Sequence, residues 1–338
     1  MTNRKALAQT FLDHAGWGTA QRHFLAGDAS DRSYDRLRQG HETAVLMDAP
    51  PGRGDDPADF LRIAAHLRGI GLSAPQILAS DVPNGFLLIE DLGDALFARE
   101  LRTAPQHESR LYTGATDVLL HLQDHAPPAH LPNLSAADWA EAAAFALDWY
   151  ARAITGTNPV QRPAFVDALA QALHRHADGP RVLILRDYHA ENLLDLPDRT
   201  GVARVGLLDF QLAQLGQPGY DLVSLLQDAR RDVSPTVAQR MTLHFAAGKG
   251  LEAATLEASL AVLGAQRVLR ILGIFARLCL VSGKAGYVDL IPRVWGQLQQ
   301  NLAHKALADL RPICDAALPS PTPQALNRIK DQCATNPR

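Results

Sequence analysis

A chain of 338 residues, of which 47% are hydrophobic and 20% charged, is long enough for one large domain or two lobes around a sizeable core. The net charge of −3 provides no basic field that would attract nucleic acid or an anionic membrane surface, so neither is expected as a partner. The three cysteines form no C-x-x-C pair, which argues against a disulfide framework or a zinc site and fits a reducing cytoplasm.

Two stretches bear on where the protein is located. The first 17 residues lack the uninterrupted apolar core of a signal peptide. Residues 268–281 are the most apolar long stretch, but Arg270 and Arg277 interrupt them and they are shorter than a membrane span. We therefore expect a cytoplasmic protein without a membrane partner, in which 268–281 belong to a buried helix. The sequence makes no prediction of the oligomeric state.

The first 92 residues have the pattern of a small antiparallel sheet with two helices. Apolar positions at near-helical spacing predict helices over 4–17 and 58–68. Short runs separated by tight turns predict the strands, which are 21–25, 33–38, 42–48, 77–80 and 85–89. This pattern is typical of a lobe built from five strands.

From residue 94 onward the pattern is mostly helical. The predicted helices are 95–103, 106–125, 138–154, 162–176, 219–230, 235–248, 255–282 and 288–309. The proline-rich residues after 318 are expected to be loosely ordered. The predicted fold class is therefore α+β, with a small sheet lobe at 1–92, a mainly helical lobe at 93–318 and a Pro-rich tail at 319–338.

The chemically most informative motif lies around two short apolar runs, 182–185 and 205–208, which predict buried strands. Asp187 and Asn192 follow the first run, and Asp209 follows the second. We therefore expect a carboxylate and an amide to project from one loop. A second carboxylate should project from the end of a neighbouring strand.

Phosphoryl transfer from ATP requires such a set of side chains. One carboxylate accepts the proton of the acceptor hydroxyl, while an amide oxygen and a second carboxylate hold magnesium against the phosphates. Asp187 is therefore the predicted catalytic residue, and Asn192 and Asp209 are the predicted metal ligands. The alternative, two structural strand-end acids and a structural loop asparagine, explains each residue alone but not the order in which they occur.

A family resemblance extends over roughly residues 10–310. The segments that carry it are GDASDR at 27–32, LMDAPP at 46–51, IEDLG at 89–93, DYHAEN at 187–192 and LDFQ at 208–211. In this order they resemble the aminoglycoside phosphotransferase-like kinases, and among these a bacterial branch that acts on N-acetyl amino sugars. The resemblance implies a two-lobed, protein-kinase-like fold with ATP and Mg²⁺ as cofactors.

The resemblance also implies roles outside the central motif. The strand that ends at 89–93 would be the hinge whose backbone pairs with adenine, so that Glu90, Asp91 and Leu92 line the nucleotide. The alternative is a plain strand followed by a turn. Asp221 would support the catalytic loop by accepting its backbone hydrogen bonds, although an acid at a helix start is also favoured by the helix dipole.

The phosphate-binding cation is predicted to be an arginine. No lysine lies between Lys5 and Lys249, and Met47 occupies the position of the strand lysine of protein kinases. The candidates are Arg32, Arg36 and Arg38, with Arg32 in the loop itself. That loop also offers Ser30 as a hydroxyl donor. The alternative is that these are surface arginines on an exposed hairpin.

The acceptor implied by the resemblance is N-acetylmuramate, N-acetylglucosamine or both, phosphorylated at the anomeric hydroxyl in peptidoglycan recycling. Candidate substrate-binding residues are Asp148, Tyr150, His189 and Arg231. An arginine suits the lactyl carboxylate of muramate, and an aromatic suits the face of a sugar ring. Each also has an ordinary structural explanation, such as helix packing, loop orientation or a solvated helix end.

Two alternative functions follow from the same residues. The first is a kinase for another small alcohol, such as an aminoglycoside, choline, ethanolamine or homoserine. Choline is disfavoured because its recognition uses an aromatic cage and aromatic residues make up only 6% of the chain. The second is a catalytically inactive nucleotide-binding scaffold, which the missing lysine would suit but which has no need of Asp187, Asn192 and Asp209 together.

Overall fold

The computed structural model describes residues 4–27, 32–52, 54 and 56–335. Internal contacts divide the chain into two compact units. Unit 1 comprises Met1–Ala129 and Leu185–Ala213, and unit 2 comprises His130–Ile184 and Gln214–Arg338. The motif that carries the two aspartates and the asparagine therefore belongs to the same unit as the N-terminal sheet.

Nine strands and thirteen α-helices are present in the described residues, numbered here in chain order. The strands are β1 Gln21–Gly27, β2 Ser33–Gln39, β3 Glu42–Asp48, β4 Ile77–Asp81, β5 Phe86–Glu90, β6 Val182–Ile184, β7 Leu193–Asp195, β8 Val205–Leu207 and β9 Gln214–Gly216. The helices are α1 Arg4–His14, α2 Pro57–Gly69, α3 Phe97–Thr103, α4 Glu108–Gln123, α5 Ala136–Ala143, α6 Arg152–Thr155, α7 Arg162–His176, α8 Tyr220–Leu226, α9 Pro235–Lys249, α10 Ala253–Ser282, α11 Ile291–Leu302, α12 Arg311–Ala317 and α13 Pro323–Lys330.

The five N-terminal strands form one antiparallel sheet in the order β1-β2-β3-β5-β4. This confirms the five predicted strands, whose bounds agree within two residues. Helix α2 begins where predicted, because Pro57 fits its first turn and the Asp56 carboxylate accepts a hydrogen bond from Ala58 N.

The two faces of this sheet have different partners because side chains alternate along a strand. On one face Leu37, Leu46 and Phe86 form an apolar core with Phe11 of α1, and the rings of Phe11 and Phe86 lie 5.8 Å apart. Burial of each such side chain contributes about 1.5–3 kcal/mol. The opposite face carries Arg36, one residue away from Leu37 on β2, and this is the face that matters for the site described below.

The two strands predicted around the central motif exist, but they are not neighbours. Strand β6 pairs with β9, and β8 pairs with β7, in two separate two-stranded antiparallel sheets. The expectation that Asp209 follows a strand next to β6 was therefore wrong. Strands β7 and β9 were not predicted, because neither contains an apolar run as long as the one at 182–185 that predicted β6.

Helix α10 forms the core of unit 2. It is long and apolar enough to cross a membrane by length and composition, with a mean hydropathy of 1.5 over its most apolar 18-residue window. However, 67% of that window is buried inside the protein, as in the core helix of a globular unit. The predicted buried helix over 268–281 is therefore confirmed as part of α10. Gly273 allows close packing, since a Cβ there would lie 2.3 Å from the backbone of Phe145.

The C-terminal segment is ordered, so the expectation of a loose tail was wrong for residues 319–335. Helix α13 begins at a Thr322 side-chain cap and buries Ile329. Arg328 of α13 and Gln332 just after it both bind α6. Arg328 Nη1 donates to Ile154 O at 3.1 Å, and Gln332 Nε2 donates to Ala153 O at 2.8 Å. The amphipathic pattern of α13 is only eight residues long, which is why the prolines around it dominated the prediction.

Candidate active site

The predicted catalytic residue Asp187 lies in a tight loop that follows β6. Asp187 N donates to Leu185 O at 2.9 Å, and Asn192 N donates to His189 O at 2.8 Å. The Asn192 side-chain amide closes the loop by donating to Asp187 O at 2.9 Å. The spacing of five residues between the aspartate and the asparagine therefore corresponds to one hydrogen-bonded loop. Because Nδ2 of Asn192 is used as a donor, its Oδ1 is left as an acceptor.

Two buried residues of the same loop, Tyr188 and Ala190, connect it to helices α4 and α3 of the same unit. The Tyr188 hydroxyl donates to Ala115 O of α4 at 2.8 Å, and Ala98 N of α3 donates to Ala190 O at 2.9 Å. His189 is also buried, with its Nε2 3.5 Å from Asn192 Nδ2. These contacts hold the backbone that follows Asp187, and a catalytic loop requires such support. They also suit a role for His189 in orienting the loop.

The second half of the motif lies directly against the first. Leu208 N donates to Asn192 O at 2.9 Å. The residue directly before Asp209 is therefore hydrogen-bonded to the loop that carries Asp187. Asp209 has a φ of +56°, a left-handed conformation that is uncommon for residues other than glycine. Backbone strain of this kind is found at ligand-binding sites, where the surrounding structure maintains it. Asn192 and Asp209 are thus brought together as predicted.

The carboxylate of Asp209 has two donors. Arg32 Nη2 lies 3.0 Å from Asp209 Oδ1, and Gln211 Nε2 donates to the same oxygen at 2.8 Å. The Arg32 side chain is only 3% exposed, whereas the Asp209 side chain is 29% exposed. The buried cation beside Asp209 is therefore an arginine, and its contact with phosphate stays a prediction. Met47 is buried at the position of the kinase lysine, and Ser30 lies outside the described residues.

Arg36 binds the predicted hinge. Its Nε lies 2.8 Å from Asp91 Oδ2, its Nη2 lies 3.0 Å from Asp91 Oδ1, and its Nη1 lies 2.7 Å from Asp94 Oδ2. The hydrogen bond that Arg36 donates to Asp94 raises the pKa of Arg36, and the same bond lowers the pKa of Asp94. Arg36 is thus committed to two carboxylates, which leaves Arg32 as the better phosphate-binding candidate. Arg38, further along β2, is exposed.

The predicted hinge residues have well-defined surroundings. Glu90 N donates to Gln76 O at 2.8 Å, and the Glu90 carboxylate accepts from Gln76 N and pairs with Arg199. Leu92 reaches strand β8, since a Cβ added to Gly206 would lie 3.3 Å from Leu92 Cδ1. The hinge segment and the strand that precedes Asp209 therefore meet within unit 1.

The donor set of this site fits Mg²⁺. Asp209 supplies a carboxylate and Asn192 supplies an amide oxygen, and hard oxygen ligands are those that Mg²⁺ prefers. Mg²⁺ commonly binds one or two protein side chains and completes its shell with water and phosphate oxygens. Among residues 4–27, 32–52, 54 and 56–335, no group of three or more His, Cys, Asp and Glu side chains is arranged to hold a metal. The arrangement thus suits a metal that binds together with a nucleotide.

The remaining predicted residues belong to unit 2. Asp148 lies on a π-helix, Ala146–Ala151, where Oδ1 accepts from Arg162 Nε at 3.0 Å and Oδ2 accepts from Arg162 Nη2 at 3.2 Å. Arg162 also pairs with Glu141. The hydrogen bonds that Arg162 donates to Asp148 and Glu141 raise the pKa of Arg162. A π-helix is frequent at functional sites, but the ion pair gives Asp148 a structural partner as well.

Tyr150, Asp221 and Arg231 complete the predicted set. Tyr150 is fully buried and its hydroxyl donates to Pro319 O at 2.6 Å, which favours a packing role. Asp221 is fully buried in the first turn of α8, and Arg231 is half-buried in the segment after α8. None of the three belongs to the unit that contains Asp187.

Sequence reasoning missed three residues that contact the site, which are Asp94, Arg199 and Gln211. Gln211 carries the clearest signal, because it follows Asp209 in D-F-Q at the position where protein kinases have the glycine of D-F-G. An amide there can reach back to the carboxylate, whereas glycine cannot. Arg199 pairs with Glu90 from 109 positions along the chain, and Asp94 directly follows the hinge but pairs with Arg36, 58 positions away. No local pattern indicates either pair.

The sequence of this chain is similar to a known protein family and to several characterised proteins. Residues 22–256 match the Phosphotransferase enzyme family (APH). The N-acetylmuramate/N-acetylglucosamine kinase of Caulobacter vibrioides is 36% identical over 358 aligned residues, covering 95% of this chain and 98% of that protein. The protein of the same name from Pseudomonas aeruginosa is 34% identical, covering 87% of this chain and 89% of its own length.

A solved structure shows the fold. A choline/ethanolamine kinase family protein from Mesorhizobium loti superposes with a TM-score of 0.61 at 16% identity, covering 97% of this chain and 100% of that chain. This confirms the predicted fold class, α+β with a small antiparallel sheet and a mainly helical remainder.

Proposed function

This chain belongs to the phosphotransferase enzyme family, and we propose that it transfers the γ-phosphoryl group of ATP to the anomeric hydroxyl of N-acetylmuramate or N-acetylglucosamine. The product is the sugar 1-phosphate. The observation that carries the proposal is the hydrogen bond from Leu208 N to Asn192 O, which joins the Asp187 loop to Asp209. The choice of acceptor is supported by relatives that are named N-acetylmuramate/N-acetylglucosamine kinase and align along nearly the whole chain.

Three side chains have distinct parts in the proposed reaction. Asp187 orients the acceptor hydroxyl and accepts its proton, because a carboxylate within hydrogen-bonding distance can do so as the phosphoryl group transfers. Asn192 and Asp209 hold Mg²⁺ through their oxygen atoms. When bound, the metal neutralises charge on the phosphate oxygens.

The nucleotide is proposed to bind to residues of unit 1. Arg32 supplies the positive charge for the phosphates, since its planar guanidinium can donate two hydrogen bonds to one phosphate. Ser30 is proposed as a further phosphate donor. The backbone of Glu90, Asp91 and Leu92 is proposed to pair with adenine, and Arg36 maintains that backbone through Asp91 and Asp94.

The acceptor-binding residues remain predictions. Arg231 is proposed to meet the lactyl carboxylate of muramate, and His189 is proposed to contact the acceptor or orient the loop. Asp148 and Tyr150 are weaker proposals, because Arg162 and Pro319 already bind their polar atoms. Asp221 is proposed to support the catalytic loop from the start of α8.

The cellular role is proposed to be peptidoglycan recycling in the cytoplasm, where sugars released from the cell wall are phosphorylated. The domain division into a nucleotide-binding lobe at 1–92, a catalytic and substrate lobe at 93–318 and a tail at 319–338 is proposed on functional grounds. It differs from the division by packing, in which residues up to Ala129 and Leu185–Ala213 form one unit.

An acceptor panel tests the proposal. ADP release is measured with ATP and Mg²⁺ and either N-acetyl sugar, glucose, choline, homoserine or kanamycin, with Asp187→Asn as the control. We expect turnover confined to the N-acetyl sugars and an acid-labile sugar 1-phosphate as the product. Turnover on another acceptor would overturn the substrate but keep the chemistry. Absence of acceptor-dependent turnover on the whole panel would favour the inactive scaffold.

A further inference from the structure

Two of the three cysteines lie against each other at the C-terminus of unit 2. Cys279 is near the end of α10, and Cys333 follows α13. Cys333 Sγ donates to Cys279 O at 3.2 Å, and Ala334 N donates to the same oxygen at 3.0 Å. In the other direction, Cys279 Sγ lies 3.7 Å from Ile329 O. Each sulfur therefore contacts the backbone of the segment that carries the other.

These contacts bring the pair close to the geometry of a disulfide. With standard bond lengths, two hydrogen bonds to one Cys279 oxygen limit the separation of the two Cα atoms to about 8 Å. Disulfides need about 4.4–6.8 Å, which a small movement of the short turn after α13 can supply. The third cysteine, Cys314, is buried on a different helix, α12.

The two thiols differ in accessibility. Cys333 is partly exposed, whereas Cys279 is fully buried. Burial, together with the hydrogen bond to Cys333, raises the pKa of Cys279 to about 12. A soluble reagent therefore reaches the Cys333 thiol first. The buried Cys279 thiol can react only with a sulfur that Cys333 already carries.

We propose that Cys279 and Cys333 form a thiol modification site at which a small-molecule disulfide, such as oxidised glutathione, links α10 to the segment after α13. The Cys333 thiolate attacks one sulfur of the reagent, and the first small thiol leaves and takes up a proton. The Cys279 sulfur then attacks the Cys333 sulfur of this mixed disulfide and loses its proton, and the second small thiol leaves. Two protein thiols are oxidised and one small disulfide is reduced to two thiols.

The consequence for the protein is an added constraint on the C-terminal segment. This segment already binds the rest of unit 2 through Arg328, Gln332 and an ion pair between Lys330 and Asp289. A covalent bond between α10 and this segment closes a long loop of the unfolded chain, which stabilises the folded state. We expect the melting temperature to rise by about 3 °C or more.

Incubation of the full chain with oxidised glutathione, followed by tryptic mapping without reductant, tests this site. Trypsin releases Cys279 in LCLVSGK and Cys333 in DQCATNPR. The expected product is these two peptides joined by a disulfide, with free thiols falling from three to one per chain and the melting temperature raised. Reduction with dithiothreitol should restore the three free thiols and the original melting temperature.

The variants are made at Cys314 and Cys333, because replacing the buried Cys279 can impair folding. Cys314→Ala, which introduces no buried hydroxyl, should form the same linked peptides as the wild type. Cys333→Ser, a change at a partly exposed position, should keep its melting temperature but form no internal bond. A stable glutathione adduct on Cys333 without the linked peptides would overturn the proposal. A linked peptide that contains Cys314, or no change in the thiol count, would do the same.

Discussion

The guanidinium of Arg32 lies 3.0 Å from Oδ1 of Asp209, and this ion pair joins residues that are 177 positions apart in the chain. The Arg32 side chain is almost fully buried, so its charge acts in a region of low effective dielectric. Met47, at the position where protein kinases carry their lysine, is apolar and buried. The positive charge at this site thus comes from the loop before β2, not from β3.

Arg32→Ala should lower kcat/KM for ATP by at least about tenfold, because a phosphate contact to a charged donor contributes about 1.5–3 kcal/mol. Arg32→Lys should fall between Arg32→Ala and the wild type, since it keeps the charge but not the planar guanidinium. Steady-state kinetics with varied ATP measure both variants. The matched control is Arg38→Ala on β2, the strand that follows Arg32, where the side chain is exposed. Equal kinetics for Arg32→Ala and Arg38→Ala would exclude a phosphate role for Arg32.

Asp187→Asn and Asp209→Asn should each give a folded protein with less than about 1% of wild-type turnover, because each removes a carboxylate that acts in the transition state. The two should differ in a binding experiment. Asp209→Asn should weaken Mg²⁺-dependent ATP binding by calorimetry, whereas Asp187→Asn should retain it. Asp198→Asn, at an exposed position between β7 and β8, is the control. Turnover above a tenth of wild type in either variant would contradict the role assigned to that residue.

Arg36→Ala should raise KM for ATP by about fivefold or more while leaving KM for the acceptor unchanged. The reason is that Arg36 holds Asp91 and Asp94 on the hinge that is proposed to bind adenine. Arg22→Ala is a suitable comparison, since it breaks an ion pair with Asp35 on the same sheet. An equal rise in KM for ATP in both variants would assign the effect to general loosening of the sheet.

Asp195 should make unit 1 sensitive to acid. Burial opposes ionisation of this carboxyl, but hydrogen bonds from Arg204 at 2.7 Å and Arg110 at 2.9 Å outweigh burial and lower its pKa. A lowered folded-state pKa stabilises the protein above the unfolded value of about 3.9, and this stabilisation is lost as the pH falls through the folded value. Asp195→Asn should therefore lower the melting temperature at pH 7, and the difference from wild type should shrink below about pH 4. A difference that stays constant from pH 7 to pH 3 would contradict this.

Tyr150→Phe should reduce stability by about 1 kcal/mol, because it removes the hydrogen bond to Pro319 O and leaves that half-buried acceptor without its donor. Burial raises the pKa of Tyr150, so the hydroxyl stays protonated and able to donate throughout the neutral range. Chemical denaturation measures the change in stability. KM for the acceptor should be unchanged. An increase in KM for the acceptor with unchanged stability would instead support the substrate-binding role predicted from the sequence.

Local patterns predicted the sheet and the catalytic loop well. The five strands of unit 1 appeared as short apolar runs between turn residues, and Asp187 and Asn192 lie within one hydrogen-bonded loop. Patterns failed where elements were too short or too far apart. Strand β9 has three residues and its pairing with β6 spans a long stretch of chain, so no window of sequence contains both.

The sequence by itself determined the chemistry of this protein, because Asp187, Asn192 and Asp209 occur at spacings that the backbone of one loop and one strand end can satisfy. Only the tertiary structure decided which arginine lies beside Asp209. Arg32 and Arg36 are only four residues apart in the chain. Arg32 nevertheless pairs with Asp209, whereas Arg36 pairs with Asp91 of the hinge. Their partners lie far along the chain, and only packing of the folded unit brings such distant charges within hydrogen-bonding distance.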